Sequence, residues 1–318
     1  MTLFHRGVAI LQGIILAASL AACAQTGPGS TSRDVIAPPM NMLVTADWLQ
    51  ENRGDPNLVI IDATVMIEQA ADGSMQSVSG AENYRSGHIP GAVFADLTGD
   101  LSDANSPLQF ALPSPEDFAT AMERLGVGDN TRVVIYDANG SMWSARVWWM
   151  LRWIGFNRAA LLDGGLASWT DAELPLSTAP GRNPLRSLTV DLQPELIAER
   201  DEVRGALGRD TVHLIDSLPE AHYRGDFSLY GRPGHIPGAS NVPTSALVDE
   251  SGRYRSVREL SALFGSDQKD RTITYCGGGI AASANAFILT RLGYKDVAVY
   301  AGSLQEWTAD PENPLVTE

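Results

Sequence analysis

Short apolar runs alternate along the chain with longer helix-like stretches, and each run closes on a polar residue. Val59-Ile-Ile-Asp62 and Val133-Val-Ile-Tyr-Asp137 in the first half correspond to His213-Leu-Ile-Asp216 and Thr272-Ile-Thr-Tyr-Cys276 in the second. The second strand of each half leads into a helical stretch that reaches Ile154-Gly155 or Leu292-Gly293. A further strand then ends in a glycine turn and a tryptophan, in Leu161-Leu-Asp-Gly-Gly-Leu-Ala-Ser-Trp169 and Val299-Tyr-Ala-Gly-Ser-Leu-Gln-Glu-Trp307. Strands alternating with helices predict βαβ units, a parallel sheet and right-handed crossovers. Ligands of such sheets bind beyond the carboxyl ends of the strands, which is where Cys276 falls.

The pattern is a duplication. His88-Ile-Pro-Gly-Ala92 recurs as His235-Ile-Pro-Gly-Ala239. The spacing between equivalent positions falls from 154 residues at Asp62 and Asp216 to 138 at Trp169 and Trp307. The halves therefore share a core and differ mainly in two loops, both longer in the first half. Asp62 and Asp216 are expected to fix turns after their strands. His88 and His235 occur once per half, which fits a structural hydrogen bond better than catalysis. The helix carrying Trp143, Trp148, Trp149 and Trp153 reads as core and interface between the halves.

The N-terminus has a different character. His5 and Arg6 precede the apolar run Val8 to Leu20, too short to span a membrane but suited to a secretory signal. Leu20-Ala-Ala-Cys23 resembles the bacterial lipobox, which implies cleavage of residues 1–22 and lipidation of Cys23. The expectation is a periplasm-facing chain held to the outer membrane by that anchor, since Gln25 rather than Asp follows Ala24. Residues 23–42, rich in Gly, Pro, Ser and Thr, read as a flexible tether. A formal net charge of -15 argues against nucleic-acid binding, so an anionic substrate needs a local cationic site.

The chain has two cysteines, and lipidation of Cys23 leaves Cys276 as its single thiol. Cys276 ends a β-branched strand and opens Gly277-Gly-Gly-Ile-Ala-Ala282, where a helix begins near Ala281. Backbone N–H groups of Gly277, Gly278 and Gly279 can turn inward as an anion nest, and the helix adds its positive dipole end over Ile280, Ala281 and Ala282. Both favour a thiolate, the nucleophilic form. The first half has Asp137-Ala-Asn-Gly140 at the equivalent place, a scaffold without the nucleophile that would supply one wall of a cleft.

The ordered set of paired His-Ile-Pro-Gly-Ala motifs, Leu-Leu-Asp-Gly-Gly-Leu, Arg146-Val-Trp-Trp-Met150 and a lone cysteine in a glycine-rich loop resembles the tandem-domain rhodanese sulfurtransferases over about residues 43–310. The resemblance implies an α/β fold of two rhodanese-like domains, each a parallel sheet flanked by helices. It places a non-catalytic domain at 43–178, a linker at 179–195 and a catalytic domain at 196–318. It implies transfer of sulfane sulfur from a small anionic donor, thiosulfate or 3-mercaptopyruvate, through a Cys276 persulfide to cyanide or a thiol, with no cofactor. Arg224 and Arg232 match the family's two substrate-binding arginines by order. Gly278, the third position of the loop counted from the cysteine, departs from the family, leaving neither a hydroxyl nor a local cation there. Thiosulfate is the preferred donor, being available outside the cytoplasm.

Two other classes are weighed. Dual-specificity phosphatases of this fold need an arginine six positions after the cysteine, where Ala282 stands here. A non-enzymatic persulfide carrier would need the same Cys276 loop. No pair of histidines stands at metal-ligand spacing, and the glycine loop lacks the features of a nucleotide site.

Overall fold

A computed structural model describes residues 40–265 and 271–318. The signal segment, Cys23 and most of the tether lie outside the described residues. The first half runs β1 (Leu43–Val44), α1 (Ala46–Asn52), β2 (Leu58–Asp62), β3 (Val65–Gln69), β4 (Met75–Ser79), α2 (Ala81–Ser86), β5 (Val93–Phe94) and α3 (Pro115–Arg124). It closes with β6 (Arg132–Tyr136), α4 (Met142–Trp153), β7 (Ala159–Leu162) and α5 (Gly165–Asp171). The second half runs α6 (Arg200–Ala206), β8 (Val212–Asp216), α7 (Glu220–Arg224), β9 (Ser240–Asn241) and α8 (Val257–Phe264). It ends with β10 (Arg271–Tyr275), α9 (Ile280–Arg291), β11 (Val297–Val299) and α10 (Ser303–Trp307).

Each half is built on a parallel sheet, ordered β1-β7-β6-β2-β5 in the first and β11-β10-β8-β9 in the second. Ile197 bridges Val299 in parallel and takes in the second sheet the place β1 has in the first. The central strands β2 and β6 are buried at every position, because helices cover both faces. Register repeats as well, with Asp62 beside Tyr136 and Asp216 beside Tyr275.

The repeated His-Ile-Pro-Gly-Ala turn has the same local physics twice. His88 Nδ1 lies 2.7 Å from the carbonyl of Tyr84 and His235 Nδ1 lies 2.7 Å from that of Tyr223. Each imidazole stacks on the ring of that tyrosine, at 3.9 and 3.6 Å between centroids. The amides of Ile89 and Ile236 donate to the phenol oxygens of Tyr136 and Tyr275. Both histidines are therefore consumed by structure.

The halves meet through α4 and α9, with the Trp148 ring edge-on to Phe287 at 4.9 Å. Each helix is buried on nearly all sides, since one side faces its own sheet and another the partner helix. Residues 179–195 do not hang free between the halves. Asn183 Nδ2 donates to the carbonyl of Leu125, the Leu188 amide to Glu123 Oε1 and the Gln193 amide to the carbonyl of Trp153, strapping the segment to the first half.

The two extra lengths of the first half are the antiparallel hairpin β3–β4 and the loop spanning residues 97–113. Both reach the neighbourhood of Cys276.

Candidate active site

Strand β10 delivers Cys276 to the carboxyl edge of the second sheet, and α9 begins four residues later at Ile280. The turn is held from below. The Cys276 amide donates to Ser303 Oγ at 3.1 Å, and Ser303 Oγ donates to the carbonyl of Tyr300 at 2.7 Å. Amides of Leu304 and Gln305 in α10 bond the carbonyls of Cys276 and Gly277 at 3.0 Å each. With its backbone fixed at three points, the loop turns the Gly279 amide onto Cys276 Sγ at 3.1 Å. Gly279 has φ +82°, in the left-handed region that glycine adopts without strain.

The first half shows what this turn does with an anion. Asp137 occupies the place of Cys276, and its carboxylate accepts from the amides of Asn139 (2.8 Å), Ser141 (3.0 Å) and Ser144 (2.8 Å). The same strand–turn–helix corner thus closes on an internal carboxylate in one copy and on a sulfur atom in the other. Three amides at the helix N-terminus meet the carboxylate, and the Gly279 amide at the matching helix start meets the sulfur.

The loop residues divide by placement. Gly277, Gly278, Ile280 and Ala281 line a cleft of about 500 Å³ above the thiol. Ala282 is fully buried and faces inward, its carbonyl accepting from Thr274 Oγ1 at 3.0 Å. Tyr230 covers Gly277 so closely that a Cβ there would lie 2.0 Å from Cζ and 2.3 Å from the hydroxyl of the phenol. Gln305 spans the cleft floor, with Oε1 accepting from the Gln109 amide of the first half at 2.8 Å. Ile67 and Ser77 from the hairpin and Gln109 and Phe110 from the long loop complete the opposite wall. The first half does supply one side of the cleft, by way of its two extra loops.

Arg224 and Arg232 are not in this cleft. Arg224, with its side chain 42% exposed, pairs with Glu220 at 3.0 Å and Asp226 at 2.8 Å. Arg232 donates to the carbonyls of Thr308, Asp310 and Asn313, holding the C-terminal segment. The two arginines therefore do not form the expected guanidinium clamp at the thiol: nearby acidic side chains pair with Arg224, and three carbonyls engage Nε and Nη2 of Arg232.

A cation does reach the loop, from the other half. Arg146 on α4 is 1% exposed, with Nη2 donating to the carbonyl of Phe110 at 2.9 Å and Nη1 3.5 Å from the carbonyl of Gly279. Its guanidinium also lies over the Trp149 ring at 5.1 Å. Burial lowers its pKa to about 10, with the negative charge of Cys276 acting the other way, so it stays protonated at neutral pH. The sequence carries a signal for it, an arginine among Met142-Trp-Ser-Ala-Arg-Val-Trp-Trp with no acidic residue in the helix. His222 and Tyr230 also line the cleft. Burial holds His222 below its ordinary pKa, while burial and then the nearby Cys276 charge push Tyr230 up to about 12, so neither is charged at neutral pH.

The rhodanese-like domain family matches the chain twice, at residues 45–172 and 199–310. The chain is 38% identical over 279 residues to 3-mercaptopyruvate sulfurtransferase of Escherichia coli K12, covering 86% of this chain and 96% of that protein. It is 31% identical to the thiosulfate sulfurtransferase of Gallus gallus, covering 83% and 92%. The crystal structure of SseA from Escherichia coli superposes with a TM-score of 0.74 at 36% identity, over 83% of this chain and 99% of the other. A duplicated parallel-sheet fold, a thiol at the equivalent strand end and these relatives agree, and the chain belongs to the rhodanese family as a two-domain sulfurtransferase.

Proposed function

We propose that Cys276 takes sulfane sulfur from thiosulfate, holds it as a persulfide and passes it to a thiol or cyanide. The thiolate attacks the outer sulfur of thiosulfate, the S–S bond breaks, and sulfite leaves with the bonding pair. Cys276 is left as an enzyme persulfide anion, and charge balances without a proton. The observation that carries this reading is the paired corner. In the first half it holds a full carboxylate on three amides, so the second copy is suited to a sulfur anion that must persist between two half-reactions.

Thiosulfate is favoured over 3-mercaptopyruvate for two reasons. The charge of thiosulfate lies one bond from the transferred sulfur, within the field of the loop amides and Arg146. The carboxylate of 3-mercaptopyruvate lies three bonds away, where the described residues of the cleft offer no lysine or arginine. Its carbon leaving group must also gain a proton, and Gly278 brings no hydroxyl beside the sulfur.

Intact-mass analysis after thiosulfate treatment tests the reading. Addition of one sulfur atom is expected in the native chain and none in Cys276→Ser, with both folded. Sulfur uptake by the serine variant overturns it. The lipobox-like Leu20-Ala-Ala-Cys23 supports an anchored, periplasm-facing placement. Release of a Cys23→Ala chain from membranes is the expected outcome, and a soluble wild-type chain overturns the placement.

A further inference from the structure

The cleft over Cys276 is far larger than thiosulfate or cyanide requires. About 500 Å³ is the size of a site for an organic molecule, whereas these ions are a handful of atoms. The lining shows what kind of molecule. Among the described residues, no lysine, arginine, aspartate or glutamate contributes to it, and its two ionisable residues besides Cys276, His222 and Tyr230, are uncharged at neutral pH. The walls are Phe110, Met142 and Trp143 on one side and Leu218, Tyr230 and Ile280 on the other.

The mouth continues this character outward. Ile67, Phe227 and Leu229 line the cleft yet remain 46%, 49% and 63% exposed. Three large apolar side chains left in water around one opening mark a surface that a ligand covers. Phe227 is held in place against His222, at 4.1 Å between ring centroids. Ile67 and Phe110 come from the hairpin and the long loop that the second half lacks. Both extra segments of the first half therefore contribute apolar surface above the thiol.

We infer that the physiological acceptor is an uncharged thiol carrying an aromatic or aliphatic body, and that the apolar walls select it. The inference rests on the Cys276 persulfide proposed above. In the transfer, the acceptor loses its thiol proton to solvent and its sulfur attacks the outer persulfide sulfur. The bond to Cys276 Sγ breaks, the pair returns to Cys276 as thiolate, and the acceptor leaves as its own persulfide anion. An acceptor with an extra carboxylate would shed its hydration shell against these walls and meet no cation in return. The overall charge of -15 disfavours its approach as well.

The test uses the full chain in detergent, loaded with inorganic polysulfide so that loading does not depend on the donor, with intact mass confirming one added sulfur. Sulfur transfer is then timed to 2-phenylethanethiol and to 3-mercaptopropionate, alkyl thiols of similar basicity that differ in the attached group. The expected result is at least a 10-fold higher kcat/KM for 2-phenylethanethiol, equivalent to about 1.4 kcal/mol. In a Phe227→Ser, Leu229→Ser double variant the ratio should fall below about 3-fold, because burying a ring against apolar surface supplies the preference. Equal rates, a faster carboxylated thiol, or a preference unchanged in the double variant would overturn the inference while leaving the persulfide intact. A chain that takes up no sulfur at Cys276 would overturn both readings together.

Discussion

Arg146 Nη1 lies 3.5 Å from the carbonyl oxygen of Gly279, joining a helix of the first half to the turn that bonds Cys276 Sγ in the second. Among the described residues Arg146 forms no ion pair with a carboxylate, and its Nε has no partner. A buried guanidinium without a carboxylate is costly unless another anion stands nearby. Cys276 is the group whose charge acts on Arg146, so the half without a nucleophile still places a cation beside the sulfur of the site.

Arg146→Met should therefore slow persulfide formation about 10- to 100-fold, or roughly 1.4–3 kcal/mol. The pH at which iodoacetamide alkylates Cys276 half-maximally should move upward, because removing a cation disfavours the thiolate. Arg146→Lys should restore part of both effects. A variant with reduced Tm but an unchanged alkylation profile would assign Arg146 to packing alone.

The two expected substrate arginines should behave differently from a clamp. Arg224→Ala should leave kcat/KM for thiosulfate within about 2-fold, since exposed ion pairs contribute little. Arg232→Ala should lower stability by about 1–3 kcal/mol by stranding the carbonyls it bridges, with little effect on the rate of the remaining folded enzyme. Thermal melting beside donor kinetics separates these outcomes. A large kinetic loss in Arg224→Ala would return that residue to the site.

Adjacent glycines of the loop should differ in tolerance. A Cβ at Gly277 would meet the Tyr230 ring, whereas at Gly278 it would meet the terminal Nε2 of Gln305 at 2.5 Å, a group that can swing away. Gly277→Ala should cost at least about 100-fold in persulfide formation, and Gly278→Ala about 10-fold or less, as expected when small displacements misplace a reacting atom. The combination of Gly277→Ala with Tyr230→Ala should recover part of the loss. Equal damage at both positions would show that the ring is not the obstacle.

Asp216, fully buried at the end of β8, has its pKa raised to about 6, chiefly by burial and opposed by the amide of Leu218. The folded state therefore binds a proton more tightly than the unfolded chain. The stability this gives is complete at acid pH and is lost as pH rises through about 6, leaving a buried carboxylate above that. Asp216→Asn keeps an oxygen for the Leu218 amide and should stabilise the protein above pH 6 by about 1–3 kcal/mol, with the gain gone near pH 4. Denaturant melts at the two pH values check the sign, which a constant difference would contradict.

Much of this was legible in the chain because it depends on local pattern. The apolar runs ending at Asp62, Asp137, Asp216 and Cys276 specify strands of one sheet edge, and their repetition specifies two similar halves. Glycine after Cys276 identifies an anion-holding turn, since only backbone amides are left to face the sulfur. The two loop lengths that break the repeat mark where the halves differ. What the sequence could not decide is where long side chains end. Arg224 and Arg232 stand in the expected order, yet Glu220, Asp226 and the C-terminal carbonyls take them out of the cleft. Arg146 reaches the loop only because α4 packs on α9 across the two halves, a contact between residues more than a hundred positions apart. The apolar character of the cleft arises in the same way, from segments of both halves that meet only on folding. Strand, turn and nucleophile follow from neighbouring residues, whereas charge and specificity at the site depend on distant side chains brought together by the fold.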